Sequence, residues 1–228
     1  MLYRLIPTLV FAAFVLLVLP ACRTAGEAAE NTAATVADGA RVVGDVVSDA
    51  VGGAYRRTAE LFDDDDDLIA AALVRPTSAA GASVQGTVRM MEDDDDLVIE
   101  LSLLGLQPGS THGFHVHRDG SCGMADADGD GTMDPGGAAG PHWDPASSNR
   151  HGAPENALDQ KHVGDFGNVT ADADGRVETT LRVENVDPDT YDFVGHAVMV
   201  HGGRDDLTSQ PSGAAGARIG CGVIEGRP

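Results

Sequence analysis

The residues best placed to do chemistry lie in a run of alternating histidines, His112-Gly-Phe114-His115-Val116-His117. Side chains alternate across a β-strand with a period of two, so His115 and His117 share one face. Phe114 and Val116 take the other face, which can be buried in apolar contacts. This pattern predicts a rigid strand that holds two metal ligands above a core. A strand edge with two solvated histidines is the alternative, because histidine is common at protein surfaces.

Further histidines downstream favour the metal site. A long segment without a strand pattern contains His142, His151, His162 and Asp165, and His201 precedes a second such segment. Imidazole suits copper and zinc, and a carboxylate can complete a tetrahedral zinc site. A reading without metal requires all of these residues to coincide in one domain by chance.

The elements that position these residues are short strands. From Leu68 the chain has apolar runs with glycine-rich connections, and Asp93–Asp96 is typical of a hairpin turn. Two connections are long, 119–163 and 202–217, and each begins just after a candidate ligand, which favours a functional role. The runs predict an all-β antiparallel barrel or sandwich with eight strands, over 68–75, 83–91, 97–104, 111–118, 164–171, 177–184, 194–201 and 218–224.

The composition limits the partners. The formal net charge is −21, so the bulk surface disfavours nucleic acid and anionic lipid head groups. The simplest interpretation of this charge is that it keeps the protein soluble. The charge affects function only if the substrate is itself an anion.

The first 67 residues are predicted to lie outside the barrel. Residues 1–21 have a basic residue followed by an apolar run and are read as a signal peptide. The segment ending in Cys22 resembles the lipobox of bacterial lipoproteins, which implies acylation of Cys22 and anchoring in a membrane. An ordinary signal that leaves a free thiol is the alternative. Residues 22–67 are read as a tether, partly helical, although a role in binding a partner or a membrane surface stays open.

Several separated motifs together resemble the copper–zinc superoxide dismutases, from about Leu68 to Ile224. They are the residues HGFHVH at 112–117, GPH at 140–142, HVGD at 162–165 with GNV at 167–169, His201 with Asp205-Asp206-Leu207, and ARIGCGVI at 217–224. The resemblance implies a Greek-key β-barrel with eight strands. It also implies an enzyme that converts superoxide to dioxygen and hydrogen peroxide.

The resemblance implies a site with two metals. Copper is expected on His115, His117, His142 and His201, and zinc on His142, His151, His162 and Asp165, so that His142 bridges both. Asp205 is expected to link His115 to His151, and outer bonds of this kind fix ligand orientation. His112 is expected to brace its strand, and His196 is read as structural.

Two further residue roles follow from the same resemblance. Cys122 and Cys221 are expected to form a disulfide, which fits an oxidising compartment. Arg218 is expected to guide the anionic substrate, since a guanidinium keeps its charge and offers fixed donors. A surface salt bridge is the alternative role for Arg218. The loop 202–217 contains Arg204 but also Asp205 and Asp206. It is shorter and less charged than the usual electrostatic loop of the family, so steering is expected to be weaker, with a rate that still depends on salt.

An insertion between Cys122 and His142 departs from the family pattern. Its residues Asp126, Asp128, Asp130, Thr132 and Asp134 follow the spacing of a calcium-binding loop, with Gly129 and Gly131 between them. Position 12 of that loop is Gly137, where a glutamate is required, and no helix pattern flanks it. The alternative is an acidic, solvated loop.

The sequence therefore favours an exported superoxide dismutase, anchored by lipid on the extracytoplasmic side of a bacterial membrane. A copper- and zinc-binding protein of the same fold without turnover is the competing hypothesis, and a cell-surface interaction module is the third. The oligomeric state stays open, with a homodimer among the candidates.

Overall fold

The computed structural model describes residues 67–227, and eight strands organise that part of the chain. The predicted all-β class is confirmed, whereas the predicted signal and lipid site and nearly all of the predicted tether lie outside the described residues. Among the described residues, no helix is long and apolar enough to cross a membrane. The strands are β1 (Leu68–Pro76), β2 (Gln85–Asp93), β3 (Asp96–Leu104), β4 (Thr111–His117), β5 (Asp165–Thr170), β6 (Val177–Val183), β7 (Ala197–His201) and β8 (Arg218–Gly226).

The strands form one antiparallel sheet in the order β5-β4-β7-β8-β1-β2-β3-β6. It curls into a nearly closed barrel whose edges are β5 and β6. Strand β6 pairs with β3 and β7 pairs with β4, so the chain crosses between distant strands as a Greek key does. The two predicted long connections leave β4 and β7, which are neighbours in the sheet. Both loops therefore start on the same wall of the barrel.

The predicted bounds differ from the observed ones mainly at β7, which begins at Ala197 rather than at residue 194. Gly195 has a φ of +84°, in the left-handed region that glycine occupies readily. The Asp192 carboxylate also accepts a hydrogen bond from the Val194 N–H and closes a turn there. The apolar Val194 therefore belongs to the turn. The hairpin predicted over Asp93–Asp96 is confirmed.

Strand β4 is buried on both faces. Phe114 and Val116 point into the main core, where Val198 and Val200 of β7 accompany them. The opposite face is covered by the long loops, and a 3₁₀ turn at Gly137–Ala139 packs Ala139 against β7. The two loops therefore cover the face of β4 that carries His115 and His117.

Candidate metal centre

The register of three adjacent strands gathers the first functional side chains. His115 and His117 project from one face of β4, and β7 lies alongside with His201 at its end. His201 is paired across the sheet with Arg218, the first residue of β8. A ligand candidate and a permanent cation are thus fixed as neighbours by backbone pairing, because strand register determines which side chains meet.

The first histidine cluster is formed by His115, His117, His142 and His201, all buried. His117 Nδ1 lies 2.8 Å from the Gly140 carbonyl oxygen, and His201 Nδ1 lies 3.1 Å from that of Gly216. A carbonyl only accepts, so both Nδ1 atoms donate, and a neutral ring then keeps its lone pair on Nε2. The two Nε2 atoms are 3.4 Å apart. Two lone pairs that face each other in a buried space favour a cation between them.

The second cluster brings together His142, His151, His162 and Asp165. The three histidines present Nδ1 to the Asp165 carboxylate, at 2.7, 3.0 and 3.2 Å. Burial raises the pKa of Asp165, but hydrogen bonds from His142 and His151 outweigh it and hold that pKa well below its usual range. Asp165 is therefore a carboxylate with three imidazole nitrogens around it.

His142 belongs to both clusters. Its Nδ1 faces Asp165, whereas its buried Nε2 has no hydrogen-bond partner among the described residues. Nδ1 of His115 is buried and likewise lacks a hydrogen-bond partner there. Buried polar atoms are nearly always satisfied, so these two atoms point to ligands other than protein. Four imidazoles suit copper, and three imidazoles with a carboxylate suit zinc.

Asp205 connects the two clusters through hydrogen bonds to one histidine of each. Its Oδ2 lies 2.7 Å from His115 Nε2, and its Oδ1 lies 2.9 Å from His151 Nε2. Burial raises the pKa of Asp205, yet the bonds to these two histidines hold it below its usual range. Both Nε2 atoms then donate to an ionised carboxylate. On His115 this leaves Nδ1 with a free lone pair directed at the first cluster, whereas Nδ1 of His151 faces Asp165.

Burial favours the neutral form of three of the histidines. It lowers the pKa of His142 to about 3, and it lowers those of His117 and His201 well below the usual value. The pKa of His151 shifts the other way, because hydrogen bonds to Asp165 and Asp205 overcome the cost of burial and raise it to about 9. Neutral imidazole is the form that binds metal ions.

Arg218 lies beside the first cluster and is fixed by the loop from β4. Its Nη1 donates to the Gly136 carbonyl at 2.7 Å and its Nη2 to the Gly140 carbonyl at 2.8 Å. Burial lowers the pKa of the guanidinium, but an arginine stays charged at any ordinary pH. It lines a cavity of about 660 Å³ together with His117, His142 and His201. An anion that enters this cavity meets the guanidinium and the histidines together.

The disulfide that the family resemblance implied is confirmed. Cys122 and Cys221 are bonded, with a Cα–Cα distance of 5.7 Å. The bridge connects the loop that carries Gly136 and Gly140 to β8, the strand that carries Arg218. It therefore ties the carbonyls that orient the arginine to the arginine's own strand.

The acidic insertion is an exposed loop closed on itself. Of the four aspartates among its predicted calcium ligands, Asp126, Asp128 and Asp134 have oxygens within 4.8 Å of one another, whereas Asp130 is outside that group. The Asp126 carboxylate also accepts hydrogen bonds from the Gly129 and Gly131 N–H groups. Calcium binding stays a prediction, and so does the alternative of a solvated loop.

The structure also contains supporting residues to which the sequence assigned no role. Asn168 exchanges two side-chain hydrogen bonds of 2.9 Å with the backbone of Asp205, and Gln210 exchanges two of 2.8 Å with the backbone of His151. A Cβ at Gly213 would fall 1.8 Å from Asp205 Oδ1, so only glycine permits that approach. These partners are far apart in sequence; only the Gly-Asn-Val run at 167–169, already part of the family resemblance, pointed to Asn168.

Two other histidines bind backbone rather than the clusters. His112 Nδ1 lies 2.7 Å from the carbonyl oxygen of His201, which links β4 to the end of β7. His196 Nδ1 contacts the Arg118 carbonyl oxygen. Neither ring belongs to a cluster of potential metal ligands among the described residues.

An antiparallel barrel that carries two adjoining histidine clusters defines a metalloprotein with a binuclear site. The family model described as copper/zinc superoxide dismutase matches residues 84–224. This match covers more than half of the chain, which therefore belongs to the copper/zinc superoxide dismutase family.

Individual relatives agree with the family match. A superoxide dismutase [Cu-Zn] of Photobacterium leiognathi is 38% identical over 125 residues, which are 54% of this chain and 68% of the relative. That of Brucella abortus is 39% identical over 122 residues, 53% of this chain and 66% of the relative. The solved Cu/Zn superoxide dismutase from Brucella abortus matches with a TM-score of 0.59 and 34% identity, over 68% of this chain and 98% of that one. The chain thus spans about two thirds of the curated relatives and nearly all of the solved one.

Proposed function

We propose that this protein catalyses the dismutation of superoxide to dioxygen and hydrogen peroxide. The observation that carries the proposal is the pair of buried clusters that share His142, with His142 Nε2 and His115 Nδ1 left without a hydrogen-bond partner among the described residues. Such an arrangement fits two adjacent cations better than any hydrogen-bonded core. The relatives are named copper–zinc superoxide dismutases, which agrees with that donor set.

In this proposal, copper is held by His115, His117, His142 and His201, and zinc by His142, His151, His162 and Asp165. Bound copper supplies the one-electron exchange with superoxide, because zinc has no redox chemistry. The family membership supports the identity of both metals. The assignment of each metal to its cluster rests on the four imidazoles of one and the carboxylate of the other.

His142 is proposed to hold a proton for the reaction. Formation of hydrogen peroxide from superoxide consumes two protons, and they must be delivered where the anion is bound. His142 Nε2 faces the first cluster while its Nδ1 stays against Asp165. The one lone pair of Nε2 would hold either copper or a proton, so the nitrogen could take a proton only while it is not bound to copper. Because the Nδ1 side fixes the ring, this exchange would not change the position of the imidazole.

Arg218 is proposed to bind and orient the superoxide anion. A guanidinium has five N–H groups, and two of its nitrogens are engaged with the carbonyls of Gly136 and Gly140. Those bonds fix the plane of the group, so its free donors face a set direction. An oriented cation in a confined cavity raises the local concentration of a small anion.

The test is the dismutation rate of the copper- and zinc-loaded protein beside its Arg218→Ala and Arg218→Lys variants. We expect rapid turnover in the parent protein and a loss of at least about tenfold in Arg218→Ala, which equals about 1.4 kcal/mol of transition-state stabilisation. Arg218→Lys should retain an intermediate rate, because lysine keeps the positive charge but lacks the fixed, planar set of N–H donors of the guanidinium.

The metal content and thermal midpoint of each variant serve as controls, since a drop in rate with full metal occupancy assigns the loss to Arg218. Full occupancy with turnover no faster than that of free copper would contradict the proposal. The protein would then be a copper- and zinc-binding relative without turnover.

We also propose that the protein acts outside the cytoplasm, anchored by lipid on Cys22. The disulfide supports the first part, because such bonds persist in oxidising compartments. Mass spectrometry of the protein purified from membranes tests the second part. An acylated Cys22 at the mature N-terminus is expected, whereas an unmodified thiol would contradict the anchor. Assembly as a homodimer stays a prediction, which sedimentation can check.

A further inference from the structure

The acidic insertion forms one wall of the cavity above the first cluster. The lining of this cavity includes His117, His142, His201 and Arg218, but also Ala127 and Asp128. Asp128 is exposed and lies in the middle of the insertion. The segment that distinguishes this chain from the family pattern thus borders the space that the proposed substrate must enter.

Hydrogen bonds and the disulfide hold both ends of the insertion next to the site. Ala125 and Asp134 form a two-way backbone pair, with N···O distances of 3.3 and 2.8 Å. The Gly136 carbonyl at its end accepts a hydrogen bond from Arg218, and the disulfide at Cys122 anchors its start. Contacts at both ends hold the insertion against the cavity, so Asp128 is a structural part of the entrance.

The charges along this cavity are few and opposed. Among its lining residues, Arg218 is the one basic side chain apart from the histidines, and Asp128 is the one carboxylate. The other ionisable lining residues are His117, His142, His162 and His201, all members of the two histidine clusters. An anion on its way to Arg218 therefore passes a single negative side chain.

We propose that Asp128 is a specificity-determining residue that selects anions by charge at the entrance to the Arg218 cavity. Coulomb energy is proportional to the charge of the ion, so a carboxylate repels a dianion twice as strongly as a monoanion. Asp128 therefore disfavours the entry of a monoanion such as superoxide by a small factor, and that of a dianion such as sulfate by about the square of that factor. The inference rests on the proposed function, because it takes superoxide as the anion that must pass.

The experiment compares Asp128→Asn with Asp172→Asn in the copper- and zinc-loaded protein, in buffer without added calcium. Asp128 accepts a hydrogen bond from the Asp130 N–H, and Asp172 accepts one from the Asp174 N–H. Both are exposed aspartates that support a turn, and each variant removes one charge. Asp172 does not line the cavity, so it controls for the change in net charge.

Two measurements are made at low and at high ionic strength. The first is the dismutation rate, which should rise about twofold in Asp128→Asn at low salt and return to the parent value at high salt. The second is azide binding, followed by the visible absorption of the copper complex, with sulfate as the competitor at constant ionic strength. Azide affinity should also rise about twofold. With azide held well below its dissociation constant, the sulfate concentration that halves azide binding should fall about fourfold, the square of the monoanion effect.

The outcomes separate the two proposals. Equal azide and sulfate behaviour in Asp128→Asn, Asp172→Asn and the parent protein would overturn the role of Asp128. An equal effect on azide and on sulfate would overturn selection by charge. If the parent protein failed to dismutate superoxide but still bound azide, the proposed function would fail while the anion measurements would still test Asp128.

Discussion

Asp205 is fully buried, and its two oxygens reach one histidine of each cluster. Asn168 holds the backbone of this residue on both sides, and the absence of a side chain at Gly213 leaves room for its carboxylate. At the scale of the residue, one carboxylate thus sets which nitrogen of His115 and of His151 carries the proton. The Asp205 carboxylate therefore determines which nitrogen of each ring is directed at a cluster.

Removal of this carboxylate should weaken zinc binding. We expect Asp205→Asn to lower zinc affinity about 10- to 100-fold, because a neutral amide no longer fixes both rings. Competition with a chromophoric chelator measures the affinity. Asp206→Asn is the matched control, since the neighbouring Asp206 carboxylate bonds only to its own loop at Thr208 and Ser209. Equal zinc affinities in the two variants would contradict the role of Asp205.

The loop between β4 and β5 is the element that positions most of the site residues. It brings His142, His151 and His162 over the face of β4, and it supplies both carbonyls that hold Arg218. The disulfide pins its first part to β8 across a separation of 99 residues. Cross-links that close long loops restrict the unfolded chain most in the chain-entropy model.

Loss of the disulfide should therefore destabilise the fold. We expect the double variant Cys122→Ser/Cys221→Ser to lose roughly 2 to 5 kcal/mol of the free energy of unfolding. Urea denaturation of the metal-free protein measures this value. Cys22→Ser should leave it unchanged, because that cysteine is not in the bridge. A double variant as stable as the parent protein would contradict the prediction.

The acidic insertion offers a second prediction at the scale of the element. If it binds calcium, calorimetry of the copper- and zinc-loaded protein should detect binding at millimolar concentration or below. Asp126→Asn should abolish the heat, because this carboxylate belongs to the converging group of three. Absence of heat at millimolar calcium would leave the solvated loop as the correct interpretation.

Across the whole molecule, buried histidines make the metal-free fold sensitive to acid. His117, His142 and His201 have pKa values below the usual 6.5, so below that pH the unfolded chain binds more protons than the folded one. Stability then falls as the pH decreases, by about 1.4 kcal/mol per pH unit for each histidine that stays neutral. His151 has the opposite sign, since its stabilising contribution is present below pH 6.5 and is lost as the pH rises through about 9.

We therefore expect the free energy of unfolding of the metal-free protein to fall between pH 6.5 and pH 5, by up to roughly 6 kcal/mol for three neutral histidines. Urea titrations at several pH values measure it. His142→Asn should reduce the slope by about one third, whereas His196→Asn, which lies outside both clusters, should preserve it. A slope unaffected by either variant would contradict this account.

The sequence by itself determined the strands and the types of donor. Alternation of apolar and polar residues is a local property, and it predicted eight strands close to their observed bounds. The same alternation assigned His115 and His117 to one face of β4, because a side chain's face depends only on its neighbours in the strand. The start of β7 was misplaced because Gly195 and Asp192 form a turn that interrupts an apolar run.

Only the tertiary structure decided which distant residues meet. Gln210 and His151 are 59 residues apart, and Asn168 and Asp205 are 37 apart. Asp128 shares a cavity with Arg218 although 90 positions separate them in the sequence. Such contacts form after strand pairing has brought both loops onto one wall of the barrel. No local pattern encodes them, because their energy comes from groups that are neighbours only in the folded chain.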